Sequence, residues 1–427
     1  MRRIISFFAV VAAAGIFAAA AHADDVTHWN RIMFELAKVA GTSPLVMTRV
    51  TAIVHGSMYD ALNGIERRYT PLHVAPAADP GASRRAAVVQ AAYASLSKIY
   101  PTQQSTLDQK LAESLAGIAN TEAVENSRSI ARGIEWGQAV ADAIWAWRLT
   151  DGFTAVLPSF TGPANPGPGQ WRPTPPGNLP MAGRQFVDMT PWVITSPSQF
   201  LAPGPPALSS AQYTADFNET RLKGRDTSPS RTQDETFYSL FWNSATASYL
   251  WDTAAVSLSE ERQTTLSENS RLFALLNVAM ADAAIGCWKS KFIYNFWRPI
   301  TAITLASTDG NPGTIEDPTW NPLLVTPNHQ DYTSGHSCVS GAAGAVLSNF
   351  FGEQSSFVVT SDGMAGARYF PSFTAATEEV KNARVFAGIH FRAACNDGQA
   401  LGVSTANYAL GHAFLRINGN GRGQLSQ

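Results

Sequence analysis

Apolar side chains recur at i, i+3, i+4 and i+7 along one stretch of this chain after another, which is the spacing of a buried helix face. The residues near 45–64 (PLVMTRVTAIVHGSMYDALN) carry the pattern, as do those near 83–99, 122–147, 266–287 and 393–415. Alanine is abundant and β-branched runs are few, and no turn pair between alternating strands gives support to a β-hairpin. This periodicity predicts an all-α helical bundle. One region breaks it. Residues 150–209 hold about half of the 25 prolines (FTGPANPGPGQWRPTPPGNLP). The interleaved Trp171, Phe186 and Trp192 are anchors, so this stretch is expected to be an ordered loop wrapped on the bundle rather than a free linker.

The first residues read as a targeting segment. Arg2 and Arg3 precede an apolar run, and Ala21-His22-Ala23 is a small-x-small cleavage site, so a signal peptide over 1–23 is expected, with export to the periplasm or beyond. Residues 24–427 then form one all-α domain, with the site helices over 266–415. Without Arg2 and Arg3 the chain has 29 basic and 33 acidic residues, a net charge of −4. That balance leaves no footprint for nucleic acid or an anionic membrane. No later uninterrupted apolar run reaches the length of a membrane span, so the mature chain is expected to be soluble. Cys287, Cys338 and Cys395 are too few for a disulfide framework and read as small buried residues. The sequence leaves the oligomeric state open.

Three short segments concentrate the chemistry. In KFIYNFWRP, Lys291 and Arg298 are seven residues apart, two helical turns, so both cations are expected on nearly the same face, with a bend at Pro299. The aromatic neighbours make this an apolar segment, and cations there need an anionic partner. Lys289 turns to a different face. In YTSGHS, Ser334 is a good N-cap, Gly335 admits close backbone approach, and His336 falls in the first turn, where free N–H groups and the helix dipole favour an anion. In ARVFAGIHF, Arg384 supplies a planar fork of donors and His390 follows six residues later. Each alone has a plain structural reading: a basic face, a capped helix with an incidental histidine, a core histidine. Together they supply three cations, a helix start and two of the chain's eight histidines, the parts of an oxyanion cradle.

The pattern Lys, six residues, Arg-Pro, then Ser-Gly-His, then Arg, five residues, His resembles the superfamily of type-2 phosphatidic acid phosphatases, bacterial acid phosphatases and vanadium-dependent haloperoxidases. HGSMYDALNGI, GQWRPTPP and SRTQDETFYSLFW resemble its secreted bacterial haloperoxidase branch, so the likeness runs along nearly the whole mature chain. The resemblance implies an all-α fold with the site in a four-helix bundle. It implies that Lys291, Arg298, Arg384, Ser334 and the Gly335 amide hold vanadate or phosphate. His390 would bond the central atom, as vanadium ligand or phosphorylated nucleophile, and His336 would be the general acid–base. Trp288 and His329 would line the pocket.

Three positions depart from the family pattern: Thr333 stands where proline is usual, Ala383 where serine is usual, and Ala394 where aspartate is often found, with Asn396 and Asp397 nearby. Three functions follow from the resemblance. The first is a haloperoxidase acting on hydrogen peroxide and a halide, bromide or iodide if His329 matters. The second is a secreted acid phosphatase acting on a phosphate ester. The third is a non-catalytic oxyanion-binding protein.

Overall fold

The protein is described here by a computed structural model covering residues 24–121 and 126–417; the expected signal peptide and residues 122–125 lie outside the described residues. The chain is helical, as the periodicity predicts. Its first group is α1 (Asp25–Val39), α2 (Pro44–Glu66), α3 (Arg84–Ile99), α4 (Gln104–Thr121) and α5 (Ser127–Arg148). After the proline-rich stretch come α6 (Ala211–Lys223), α7 (Gln233–Phe241), α8 (Ala247–Arg262), α9 (Leu266–Tyr294) and α10 (Pro299–Thr304). The chain closes with α11 (Gly335–Phe351), α12 (Phe373–Phe386) and α13 (Arg392–His412).

The central element is α9. A capping box between Thr265 and Glu268 starts it, each side chain bonding the other's backbone amide. It packs against α2 on one side and α11 and α13 on the other. Its length and apolarity would suffice to cross a membrane, yet 94% of its apolar window is buried against the rest of the protein. Against it, α11 and α13 approach backbone to backbone. A Cβ on Gly402 would stand 2.0 Å from the Cys338 carbonyl oxygen, and one on Gly341 would stand 2.4 Å from that of Gln399. The small residues of GHSCVSGAAGAVLSNFF therefore set the depth at which the site helices meet.

The stretch from 150 to 209 is irregular apart from one short 3-10 turn at Arg184–Val187, and it is pinned to the bundle. Trp171 and Phe186 are fully buried and Trp192 nearly so. Asp282, in the middle of α9, accepts the backbone N–H groups of Trp192, Val193 and Ile194 at 2.7, 2.8 and 3.0 Å. The same stretch bonds the chain beside the site: the Trp171 amide donates to Asn295 O and the Ala182 amide to Asn328 O.

Two expectations are corrected. A β-hairpin is present: β1 (Phe357–Thr360) pairs antiparallel with β2 (Ala367–Phe370). Its strands are too short for a legible alternation, and Asp362-Gly363, a turn pair passed over in the sequence, lies in the connection between them. Lys291 and Arg298 also do not share a helix. α9 stops at Tyr294, where Asn295 adopts a left-handed conformation with φ 45° and caps it, and Arg298 is the N-cap of α10. The break precedes Pro299 by four residues because Asn tolerates the left-handed cap and Pro299 then opens the next helix.

Candidate active site

Breaking the chain at Asn295 turns Arg298 back toward Lys291, so both cations reach one buried volume by different routes. Lys291, in the last turn of α9, is fully buried and donates to the carbonyls of Gln330 at 2.8 Å and Asp331 at 3.2 Å. Two of its three N–H donors are thereby used. Burial, opposed by nearby Cys287 and reinforced by Arg298, lowers its pKa to about 8. Lys289 instead points outward and pairs with Asp188 at 2.7 Å.

Arg298 is fully buried and densely bonded. Its Nε donates to His329 O at 2.6 Å, one terminal nitrogen to Ile389 O at 2.5 Å, and the other to His329 Nδ1 at 2.9 Å. The first terminal nitrogen also lies 3.1 Å from His390 Nε2. A guanidinium has no acceptor, so His390 Nε2 must carry a lone pair. The remaining ring proton then sits on Nδ1, which lies 2.8 Å from Asp331 Oδ1. Burial first, then the positive field of Arg298, Lys291 and Arg384, hold His390 well below the usual histidine pKa, so the ring is neutral.

Arg384, near the end of α12, is buried and has little to hold it. It makes a long 3.3 Å contact to Asn243, just beyond α7, and its Nε has no hydrogen-bond partner among the described residues. His336, in the first turn of α11, is partly buried; its Nε2 has no hydrogen-bond partner among the described residues, and burial followed by Arg384 pushes its pKa well below normal. Ser334 is the N-cap of α11, and its oxygen accepts a long 3.4 Å bond from Ser337 N. A Cβ on Gly335 would stand 3.2 Å from the Trp288 ring. Trp288 itself is fixed by its indole N–H on Ala182 O at 3.0 Å, and its ring lies 5.0 Å from that of His329.

These groups surround one cavity of about 380 Å³, lined by Trp288, His329, Gly335, His336, Arg384 and His390 and walled by apolar residues of the α2 start. Lys291, Arg298 and Ser334 lie buried behind it. Among the described residues no group of three or more His, Cys, Asp and Glu side chains could hold a metal cation. The cradle instead offers three cations, a helix start, and orphaned polar atoms on His336 and Arg384. Such a donor set fits a tetrahedral oxyanion bonded through one histidine, vanadate or phosphate.

Two residues at the site escaped the sequence. Asp331 is fully buried and supplies the carboxylate beside His390; the motif-adjacent Asp397 instead accepts from the Tyr332 hydroxyl at 2.7 Å, away from the histidine. Asn243 approaches Arg384 from just beyond α7 with no sequence signal to mark it. The three departures fall close by. Thr333 places its hydroxyl 3.3 Å from Cys287 Sγ and 3.4 Å from Cys338 Sγ, and Ala383 is fully buried. Ala394 is buried too, and its carbonyl accepts the Ser334 amide at 2.8 Å. All three cysteines are free and buried, and Cys287 and Cys338 lie directly behind the cradle.

The fold agrees with comparisons to known proteins. A family model described as the VCPO second helical-bundle domain matches residues 271–419, the segment that contains every site residue read from the sequence. The vanadium chloroperoxidase of Curvularia inaequalis is 24% identical over 408 residues, which cover 76% of this chain and 65% of that protein, so the chain spans just under two thirds of its length. The solved structure of the first bacterial vanadium-dependent iodoperoxidase is similar with a TM-score of 0.77 and 26% identity, covering 93% of this chain and 97% of that one. An apo-type bacterial vanadium-dependent chloroperoxidase shares the fold at a TM-score of 0.69 and 15% identity, covering 86% and 93%. In fold, in the family model over residues 271–419 and in its relatives, this chain is similar to the vanadium haloperoxidases.

Proposed function

We propose that this protein is a vanadium-dependent haloperoxidase that oxidises a halide with hydrogen peroxide, with vanadate held on His390, and that it works outside the cytoplasm after loss of its leader. One observation carries the reading: His390 has Nδ1 on Asp331 and turns Nε2 to a buried cradle of three cations. Lys291, Arg298 and Arg384 would hold the oxyanion's oxygens, with Ser334 and the Gly335 amide adding hydrogen bonds from the helix start. When bound, vanadate supplies a Lewis-acidic centre that activates peroxide for oxygen transfer to halide. His336 Nε2, neutral and unpartnered, takes the peroxide proton and returns it, and Lys291 steadies the negative charge that develops. Hydrogen peroxide, halide and a proton thus become hypohalous acid and water. Bromide or iodide is favoured, with His329 beside Trp288 at the cavity wall.

The test is bromination of a phenol-type dye by purified, vanadate-loaded protein, with vanadium content measured on the same sample. Turnover that is lost in His390→Ala supports the reading, and a loaded protein as silent as that variant sinks it.

The Asp331–His390 pair favours one alternative. A histidine oriented by a carboxylate is also what an acid phosphatase needs to attack phosphorus, with His336 protonating the leaving oxygen. Phosphate release from a chromogenic ester, inhibited by vanadate and unaccompanied by halide oxidation, would select this second reading. The unpartnered Nε2 of His336 argues against a site kept only for binding, since binding alone needs no acid–base group.

A further inference from the structure

We propose that Asp331 is the positioning residue of this site, fixing His390 in the one tautomer whose Nε2 lone pair is aimed at the bound oxyanion. The inference rests on His390 being the group that bonds the oxyanion.

The argument starts from the ring. A neutral imidazole has one N–H and one lone pair, and which nitrogen carries which is set by the partner of the other. Nδ1 of His390 faces Asp331 Oδ1 at 2.8 Å, and both side chains are buried. Burial, opposed by Arg298 and Lys291, raises Asp331 to about 7; in its ionised form the carboxylate accepts and does not donate, so it holds the proton on Nδ1 and leaves Nε2 free. Without the carboxylate, only the 3.1 Å contact from Arg298 favours a lone pair on Nε2, so the tautomer protonated there gains population, and in that form the nitrogen could not bond the oxyanion.

Asp331 is itself placed with care. Its amide donates to Phe296 O at 3.0 Å, its carbonyl accepts from Lys291, and the Phe391 backbone amide faces its carboxylate. One residue therefore touches Lys291 through its backbone and His390 through its side chain, setting the cation and the candidate ligand against each other. Its carboxylate makes an ion pair with neither Lys291 nor Arg298 within 4 Å among the described residues; Oδ1 bonds the histidine, and Oδ2 has no hydrogen-bond partner among the described residues. Ala394, one turn beyond His390, brings no carboxylate, so the orienting charge comes from the loop before α11 instead.

The experiment compares wild type with Asp331→Ala and Asp331→Asn, using vanadate itself as the probe. Two quantities are read: vanadate affinity by calorimetry, and the His390 tautomer in the vanadate-free protein from ¹⁵N-histidine spectra, with far-UV circular dichroism to show that each variant is folded. Removing a carboxylate that orients a ligating histidine lowers affinity roughly 10–100-fold. The expected result is a loss of that size in Asp331→Ala together with protonation appearing at Nε2, and a smaller loss in Asp331→Asn, which keeps the shape but not the charge. A residue that merely held the loop would leave the tautomer unmoved. Folded variants that keep Nδ1 protonated and bind vanadate as wild type does would overturn the proposal, and if Asp331→Ala does not fold, the same result in Asp331→Asn alone suffices. Should wild type bind no vanadate, the proposed function fails, while the tautomer comparison still decides the role of Asp331.

Discussion

A terminal nitrogen of Arg298 sits 3.1 Å from His390 Nε2, on the lone pair that an incoming oxyanion would need. The two must part for the histidine to bond a central atom, and the guanidinium must then pass its donor to an oxyanion oxygen. Arg298 can do so without losing its place, because its other donors are anchored on His329 and Ile389 carbonyls. Lysine offers neither the fork nor those anchors. Arg298→Lys is therefore expected to weaken vanadate and phosphate binding by more than tenfold, about 1.4 kcal/mol or more. Calorimetric titration of both anions checks this; unchanged affinities would mean that Arg298 is only a brace for the His329 loop.

His336 should separate binding from chemistry. Its Nε2 borders the cavity without a partner, whereas the cations carry the charge that holds an anion. His336→Ala is expected to leave vanadate affinity within a few fold of wild type while turnover falls roughly 10²–10⁴-fold, the range for a lost general acid–base. Paired binding and steady-state measurements on one preparation would show it, and a parallel collapse of affinity would assign the residue to anion holding instead.

How far the sequence reaches can be judged from these residues. Lys291, Arg298, Ser334, His336, Arg384 and His390 were legible although a hundred residues separate the first from the last, because their spacings survive as a motif. The helical class was legible because apolar periodicity is imposed on every buried face. Asp331 was not: in PNHQDYT it reads as an ordinary loop acid, and only the folding of α13 against that loop brings His390 to it. The break at Asn295 was hidden for another reason, since apolar and aromatic side chains continue through Trp297 and mask the cap. Burial of Lys291 on such a segment was foreseeable; its bonds to the Gln330 and Asp331 carbonyls were not.

The pH dependence of binding should report Lys291. Burial lowers its pKa to about 8, so the empty site has a charged lysine below that value and a neutral one above it. A bound anion favours the charged form, so affinity is greatest below about pH 8 and declines as pH rises through it. A probe whose own charge is constant over this window, such as sulfate, isolates the lysine from the ligand. Lys291→Arg, which stays protonated, is expected to flatten the profile between pH 7 and 9, and a sloping profile in that variant would place the titration on another group.

A second buried pair governs stability rather than binding. His55 on α2 and Asp252 on α8 are both fully enclosed, 3.9 Å apart, with Asn30 on the histidine Nε2 and Asn277 on the aspartate. Burial raises Asp252 to about 8 and lowers His55 to about 3, so both are neutral in the folded protein near pH 6. The signs are opposite in consequence. For Asp252 the unfolded chain ionises first, so its contribution is present below about pH 4 and is lost progressively as pH rises to about 8. For His55 the unfolded chain takes up a proton first, so stability is lost as pH falls from about 6.5 toward 3. Asp252→Asn keeps the acceptor for Asn277 and removes the ionisation. It is expected to be near neutral at pH 4.5 and to stabilise the protein at pH 8 by on the order of 2–5 kcal/mol, the scale of a shift of about four pKa units discounted for relaxation. Urea unfolding at the two pH values measures the difference. Equal effects at both would show that Asp252 is ionised in the folded state and paired with a protonated His55, in which case His55→Gln would be the destabilising change across the whole range.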